Sequence, residues 1–395
     1  MFSSEKANVG LFCDCFPPVM DGVSVCMQNY AEWMQKKTGR VCVVTPNVPG
    51  TDYGSLPYKV LDYFSVPVPR RHPYVTGIAE LDPAYLARIS RIGFRIVHAH
   101  CPFTSGHAAL RVARLQKIPL VATFHSKYRD DFERVLPRPA VDLVLKVIID
   151  FYEKADLVWV PQASVIDVIR EYGYKGDVEV MDNGSDLVAD YPESFFAEAR
   201  ERVGVAPGEF VLLFVGQHIW EKNPRLVIEA LSLLPDLPFR MFFAGNGYAA
   251  HAMRQLVSEK GLDSKVTFLG TVMDRKVLTD YYAAADLFLF PSLYDSAPLV
   301  VREAAALHTA AVMAKGSTAA TILTDGYNGF LTENDPAELA SLLRRLAADP
   351  ALVRRAGDNA SRTIVRSWED CVGEVLRRYD DLLRSKGLPV IERMD

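Results

Sequence analysis

Along the chain, short apolar runs alternate with longer segments whose apolar residues recur every three or four positions. Asn8–Cys13, Val41–Thr45, Arg95–His98, Leu120–Thr123, Asp156–Val160 and Val178–Val180 read as strands. Between them lie amphipathic stretches, Val23–Lys37, Thr104–Gln116, Asp142–Lys154 and Val165–Tyr172, with helical periodicity. Residues 46–75, rich in Pro, Tyr and Arg, read as irregular. The turn-forming phrase Asp182-Asn183-Gly184-Ser185-Asp186 closes this series. The pattern then restarts. Phe210–Val215, Arg240–Ala244, Val266–Leu269, Leu287–Phe290 and Ala311–Ala314 are strand-like, and Pro224–Leu234 and Ala249–Lys260 are helical between the first of them. Strands alternating with helices at this spacing mean βαβ units and parallel sheets. The expected fold is α/β, two Rossmann-like doubly wound domains facing a central cleft. The first covers residues 1–186, with a C-terminal helix within 367–395 packing back on it; the second covers 187–366.

Length and composition agree with two globular domains. The chain has 395 residues, 49% hydrophobic and 24% charged, with a formal net charge of −5. That balance argues against a general nucleic-acid binder, which needs a basic excess. Six cysteines without a CxxC pair read as reduced structural thiols of a reducing compartment. No apolar run reaches the ~18 residues of a spanning helix, and the first residues lack a basic segment followed by an apolar core. The expected location is the cytoplasm, either free or peripheral at the inner face of the membrane.

Candidate chemistry clusters at strand ends. Asp286–Ala314 reads as a strand, a polar loop with Asp295 and Ser296, and a helix carrying Glu303 about two turns in, with Asp or Ser as N-cap. Gly216–Pro224 leaves a strand and enters a helix, with Asn223 as N-cap and Pro224 at N1. That arrangement places Lys222 beside free backbone N–H groups and suits a diphosphate, although a solvated lysine at a helix start is the simpler reading. Gly245-Asn246-Gly247 and Asp21-Gly22 are further glycine loops that either admit a ligand or merely turn the chain. His125 ends a strand, where a histidine serves structure more often than chemistry. His98 and His100 alternate near another strand end, but no carboxylate at a recognisable spacing makes them metal ligands.

In this order the motifs resemble the retaining glycosyltransferases of the GT-B fold, specifically family 4 (group 1), over nearly the whole chain. Asp295-x7-Glu303 matches that family's E-x7-E pair with Asp first. Gly216…Lys222 matches its phosphate loop, Gly245–Gly247 its Gly-x-Gly loop, Asn183–Asp186 its hinge and Asp325…Leu331 its Asp-Gly turn. Gly22 matches its first-domain glycine loop, and Thr123-Phe124-His125 its Thr-x-His strand end. The resemblance implies a nucleotide-diphosphate sugar donor held mainly by the second domain. Catalytic roles fall to His125, Lys222, Asp295 and Glu303; donor binding falls to Gly22, Gly216, Gln217, Gly245, Gly247, Ser296, Ala297, Leu299 and Val300. It implies no cofactor and no metal.

Three departures stand out. Gln217 replaces the loop arginine, with Arg302 or Lys315 as candidate substitutes. Ala297-Pro298 replaces Phe-Gly, and Ala306–Ala310 replaces Ala-Cys-Gly-Thr-Pro. Thr123–Tyr128 with Arg129-Asp-Asp-Phe132 is similar to transferases that glycosylate diacylglycerol. Arg134, Arg138 and Lys146 interleave with apolar residues, and Phe64–Tyr74 mixes aromatics with Arg70, Arg71 and His72, in the manner of an anionic membrane surface. The expected partners are therefore a nucleotide-sugar donor (a UDP-sugar), a lipid or glycan acceptor and a membrane surface. A polysaccharide, teichoic-type or small-molecule acceptor, a GT-B nucleotide-sugar epimerase and a non-catalytic relative are the alternatives.

Overall fold

A computed structural model describes residues 5–19, 21–68 and 74–394. Arg70, Arg71 and His72 lie outside the described residues. The chain forms two compact units, one of residues up to Asn183 together with those from Trp368 on, the other Gly184–Ser367.

In the first unit a parallel sheet runs, in spatial order, through Lys59–Tyr63, Val41–Pro46, Glu5–Phe12, Ile92–Ala99, Leu120–Thr123, Leu157–Val160 and Glu179–Val180. Val41–Pro46 and Leu120–Thr123 are buried at every position, because helices cover both faces. The strand Lys59–Tyr63 falls inside the segment expected to be irregular. It lies at the sheet edge and is only half covered, so its apolar run is interrupted by Lys59 and Asp62. Ile92–Ala99 is longer than the expected Arg95–His98, since Gly93 and Arg95 break its apolar pattern without breaking its pairing with Glu5–Phe12. The helix Arg138–Tyr152 starts a turn before Asp142, with Pro139 tolerated in its first turn. The final helix, Trp368–Ser385, packs against the helix Gly22–Thr38. Its Tyr379 hydroxyl lies 2.5 Å from His98 Nδ1, and its ring stacks on Trp159.

The second unit repeats the plan with Val266–Gly270, Phe239–Ala244, Phe210–Val215, Leu287–Phe290, Ala310–Ala314 and Phe330–Thr332. Numbered by appearance within each sheet, both orders begin 3-2-1-4-5-6, the doubly wound Rossmann order. It reverses direction between strands 1 and 4, and there the loops at the carboxyl ends diverge and leave a crevice. In the second unit those loops follow Val215 and Phe290; in the first they follow Phe12 and Ala99.

Candidate functional site

The second unit's reversal point holds an ion pair. Lys222 Nζ lies 2.6 Å from Asp295 Oδ1, with the two side chains 12% and 16% exposed. Local sequence sets both positions. After Val215 the chain turns at Gly216 (φ 155°), makes one 3-10 turn over Trp220–Lys222, and enters the helix Pro224–Ser232. After Phe290 the loop is pinned by Ser292. Its hydroxyl donates to Asp295 Oδ2 at 2.6 Å and accepts from the backbone N–H groups of Tyr294 and Asp295. The ammonium also lies 5.1 Å from the centre of the Phe290 ring, a cation–π contact that steadies it.

The expected caps differ from those found. Asn223 precedes the helix in left-handed backbone (φ 62°), and its side chain makes no cap bond. It donates instead to Pro291 O and Asn334 Oδ1, tying the loops together. Asp295 does not cap the helix of Glu303 either, because Lys222 and Ser292 take its oxygens. That helix is Leu299–Ala306 with Pro298 at the cap, so Glu303 stands little more than one turn in, not two.

Glu303 is buried and both its oxygens are engaged. Oε1 accepts from Arg275 Nη2 at 2.9 Å and Oε2 from the Tyr282 hydroxyl at 2.8 Å. Arg275 also forks onto Asp186, at 3.0 and 2.6 Å. Neither Arg275 nor Tyr282 carried a recognisable signal in the sequence, since helical residues that point at a buried carboxylate look like any others on the helix. Arg302 and Lys315 do not serve as substitutes for the missing loop arginine. Buried Arg302 donates to Ile364 O at 2.8 Å, and exposed Lys315 pairs with Glu333.

The glycine loops pack on each other. A Cβ at Gly245 (φ 133°) would meet Gly216 O at 1.9 Å, and one at Gly247 would meet His218 O at 2.5 Å. Both glycines are therefore required by close backbone approach. Gln217 is exposed. His218 beside it is buried among Phe214, Phe243 and Phe268, and burial, helped by the charge of Arg254, pulls its imidazole down to about 4. Ser296, Ala297 and Val300 are half-buried and Leu299 is buried at the helix start.

His125 and Gly22 belong to the first unit. Gly22 opens the helix Gly22–Thr38 behind the capping carboxylate of Asp21, which accepts from Ser24 N at 2.8 Å. A Cβ at Gly22 would meet nothing within 4 Å, so no turn or neighbour demands glycine there. His125 is buried, its Nε2 3.1 Å from His100 Nδ1, and burial pulls it down to about 4. His98 has both ring nitrogens taken, by Tyr379 and by Thr123 Oγ1 at 2.7 Å.

Residues 20–188 match the model of Glycosyltransferase Family 4 and residues 195–363 that of Glycosyl transferases group 1. The chain is 24% identical over 367 residues to the alpha-monoglucosyldiacylglycerol synthase of Acholeplasma laidlawii, covering 89% of this chain and 91% of that one. It is 29% identical over 351 residues to the D-inositol 3-phosphate glycosyltransferase of Arthrobacter sp. (strain FB24), covering 82% and 81%. Among solved structures it is similar to Anabaena Alr3699/HepE in complex with UDP and glucose, with a TM-score of 0.76 at 18% identity, covering 94% of this chain and 99% of the other. The chain belongs to the family 4, group 1 glycosyltransferases and has their GT-B fold. Among the described residues no helix is long and apolar enough to cross a membrane.

Proposed function

We propose that this glycosyltransferase moves a hexose from a UDP-sugar, with retention of anomeric configuration, to the hydroxyl of a membrane lipid such as diacylglycerol. The observation that carries the donor half is the Lys222–Asp295 pair at the reversal point of the second unit. Lys222 neutralises the departing diphosphate, and Asp295 with the half-buried loop Ser296–Ala297 and the helix start Leu299–Val300 takes the sugar hydroxyls. Glu303 holds the ribose or the sugar once Arg275 yields. The tight packing of Gly216 against Gly245, and of Gly247 against His218, keeps the phosphate loop close to the ligand, with Gln217 at its exposed edge. Transfer needs no cofactor and no metal, because Lys222 and backbone N–H groups carry the charge of the leaving group. His125 and Gly22 are the first unit's candidates for donor binding; the free space over Gly22 supports that role.

The lipid half is supported by the helix Arg138–Tyr152. Leu143 is 64% and Val147 54% exposed, one turn apart, with exposed Lys146 between them, while Val141, Leu145 and Ile148 face the core. Val135 is 67% exposed just before the helix, flanked by exposed Arg134. Apolar side chains in water beside cations suit an anionic bilayer surface at the inner face of the membrane. The Acholeplasma relative is named for a lipid product and supports the same reading. A small-molecule acceptor is the second reading, since the Arthrobacter inositol-phosphate enzyme is 29% identical where the Acholeplasma enzyme is 24%, though over less of the chain.

The test is transfer from UDP-glucose and other UDP-sugars to diacylglycerol in phosphatidylglycerol vesicles, with the product anomer read by proton NMR. An α-linked lipid supports the reading. Transfer to soluble inositol phosphate with none to lipid replaces it by the second, and epimerised donor in the absence of acceptor refutes transfer itself.

A further inference from the structure

The first unit's reversal point carries a group of side chains that transfer does not fully use. Cys26 from the helix Gly22–Thr38, His100 after the strand Ile92–Ala99 and His125 after Leu120–Thr123 are all buried. One ligand atom from each lies within 4.8 Å of the other two. The separation of the two imidazoles, 3.1 Å, is already near the roughly 3.3–3.6 Å between neighbouring donors of a tetrahedral zinc ion with Zn–N of about 2.0–2.1 Å and Zn–S of about 2.3 Å. Closing the group requires Cys26 Sγ to move by no more than about an ångström. The remaining ring nitrogen of His100, Nε2, is buried without a hydrogen-bond partner. His98 is excluded because its two nitrogens are spent on Tyr379 and Thr123.

We infer that Cys26, His100 and His125 form a binding site for a zinc-class divalent ion. A thiolate with two imidazoles suits late first-row ions such as zinc, cobalt and copper; magnesium and calcium, which need oxygen donors, are not held by this set. Binding expels the Cys26 thiol proton to solvent, which breaks the thiol's hydrogen bond to Asn183 Oδ1, and also breaks the His100–His125 hydrogen bond. The thiolate offsets one of the two metal charges. The site rests on these three side chains alone. Its consequence rests on the role proposed above for His125: metal withdraws that imidazole from the donor, so zinc inhibits a transfer that itself needs no metal.

Cobalt and zinc titrations of the chelator-stripped full chain test the site without reference to activity. One equivalent of cobalt should give a thiolate-to-cobalt charge-transfer band in the near ultraviolet, bleached by one equivalent of zinc. Cys26→Ala should abolish the band and weaken zinc binding at least a hundredfold, with an unchanged thermal midpoint. His100→Gln gives a second variant should the first not fold. Zinc-edge absorption of the unmutated chain should report one sulfur at about 2.3 Å among nitrogen and oxygen ligands. A wild-type chain that takes no cobalt, a zinc shell with no sulfur or with two, or a band retained in Cys26→Ala overturns the site. Saturating zinc should then slow transfer in the wild type, reversibly with EDTA, and leave Cys26→Ala unaffected. Zinc that binds without slowing transfer overturns the link to His125.

Discussion

Asp295→Asn separates the role the structure gives this carboxylate, holding Lys222, from the sugar-binding role proposed for it. Asp295 holds Lys222 at 2.6 Å, and the same ammonium is proposed to meet the donor diphosphate. With both side chains mostly buried, an effective dielectric near 20 puts the direct attraction at 2.6 Å at about 6 kcal/mol, little screened by salt. A diphosphate arriving at Lys222 competes with that attraction and feels the repulsion of the carboxylate. Asparagine keeps the size and the bond to Ser292 while removing both effects. Because Lys222 shares its three N–H groups and keeps part of its contact with Asp295 in the complex, only a fraction of the gross attraction is recovered. About 1–2 kcal/mol remains, so UDP should bind roughly 5–30-fold more tightly. Transfer should nevertheless fall at least about a hundredfold, since the acceptor for the sugar hydroxyls is weakened. Calorimetric titration with UDP and initial rates with UDP-sugar read the two effects separately, and the gain in affinity should shrink to the share due to carboxylate repulsion in a Lys222→Met background. Weaker UDP binding in Asp295→Asn would refute the reasoning, because it would make the carboxylate a positioner of Lys222 rather than its competitor.

Gly22→Ala should leave the thermal midpoint unchanged or slightly higher, since alanine favours the helix it starts and meets nothing, yet lower the rate of transfer. Unchanged kinetics would make Gly22 a bystander. Gly245→Ala should do the reverse: its Cβ cannot coexist with Gly216 O, so a cost of about 1–3 kcal/mol should lower the thermal midpoint and weaken UDP binding together. Asp14 accepts from Thr104 and Ser105, but burial, with Cys101 adding to it, pushes its carboxyl up to about 6. A raised carboxyl favours the fold below its unfolded value near 4, and that benefit is lost as pH rises through about 6. The wild type should therefore lose up to about 3 kcal/mol relative to Asp14→Asn between pH 4 and 7, read as diverging thermal midpoints. A constant difference would place the proton elsewhere.

The parallel strands were legible because burial on both faces writes them as unbroken apolar runs: Leu287–Phe290 and Phe210–Val215 are found as expected. The edge strand Lys59–Tyr63 was not, for the opposite reason; Lys59 faces water, Val60 and Asp62 are only half covered, and its alternation is too short to stand out among prolines. Strand order could not be read at all, since local periodicity carries no information about which strands become neighbours. That order brings Gly216…Lys222 and Asp295, 73 residues apart, to one crevice. Spacing identified the charged residues there but misassigned their hydrogen bonds. Asn223 and Asp295 have the composition of caps, yet a loop side chain goes to the strongest partner within reach, and for Asp295 an ammonium outbids a backbone N–H.

The least legible part is also the one with consequences for turnover. Glu303 was read as a donor ligand, but both of its oxygens are engaged, one by Arg275, which also forks onto Asp186 at the edge of the Asn183–Asp186 segment. A ligand hydroxyl can reach Glu303 only by displacing Arg275 or by sharing its oxygen, so Arg275 is a positioning residue whose loss has two opposed effects. Removing it leaves a buried carboxylate held by Tyr282 alone, which destabilises the unit; because Arg275 is 42% exposed and partly screened, the cost is about 1–2 kcal/mol. It also frees the carboxylate oxygen for the donor. Arg275→Met should therefore lower the thermal midpoint while lowering the KM for the UDP-sugar, and Glu303→Gln on top should restore much of the stability without restoring that KM. A purely structural arginine would lower stability and leave KM unchanged.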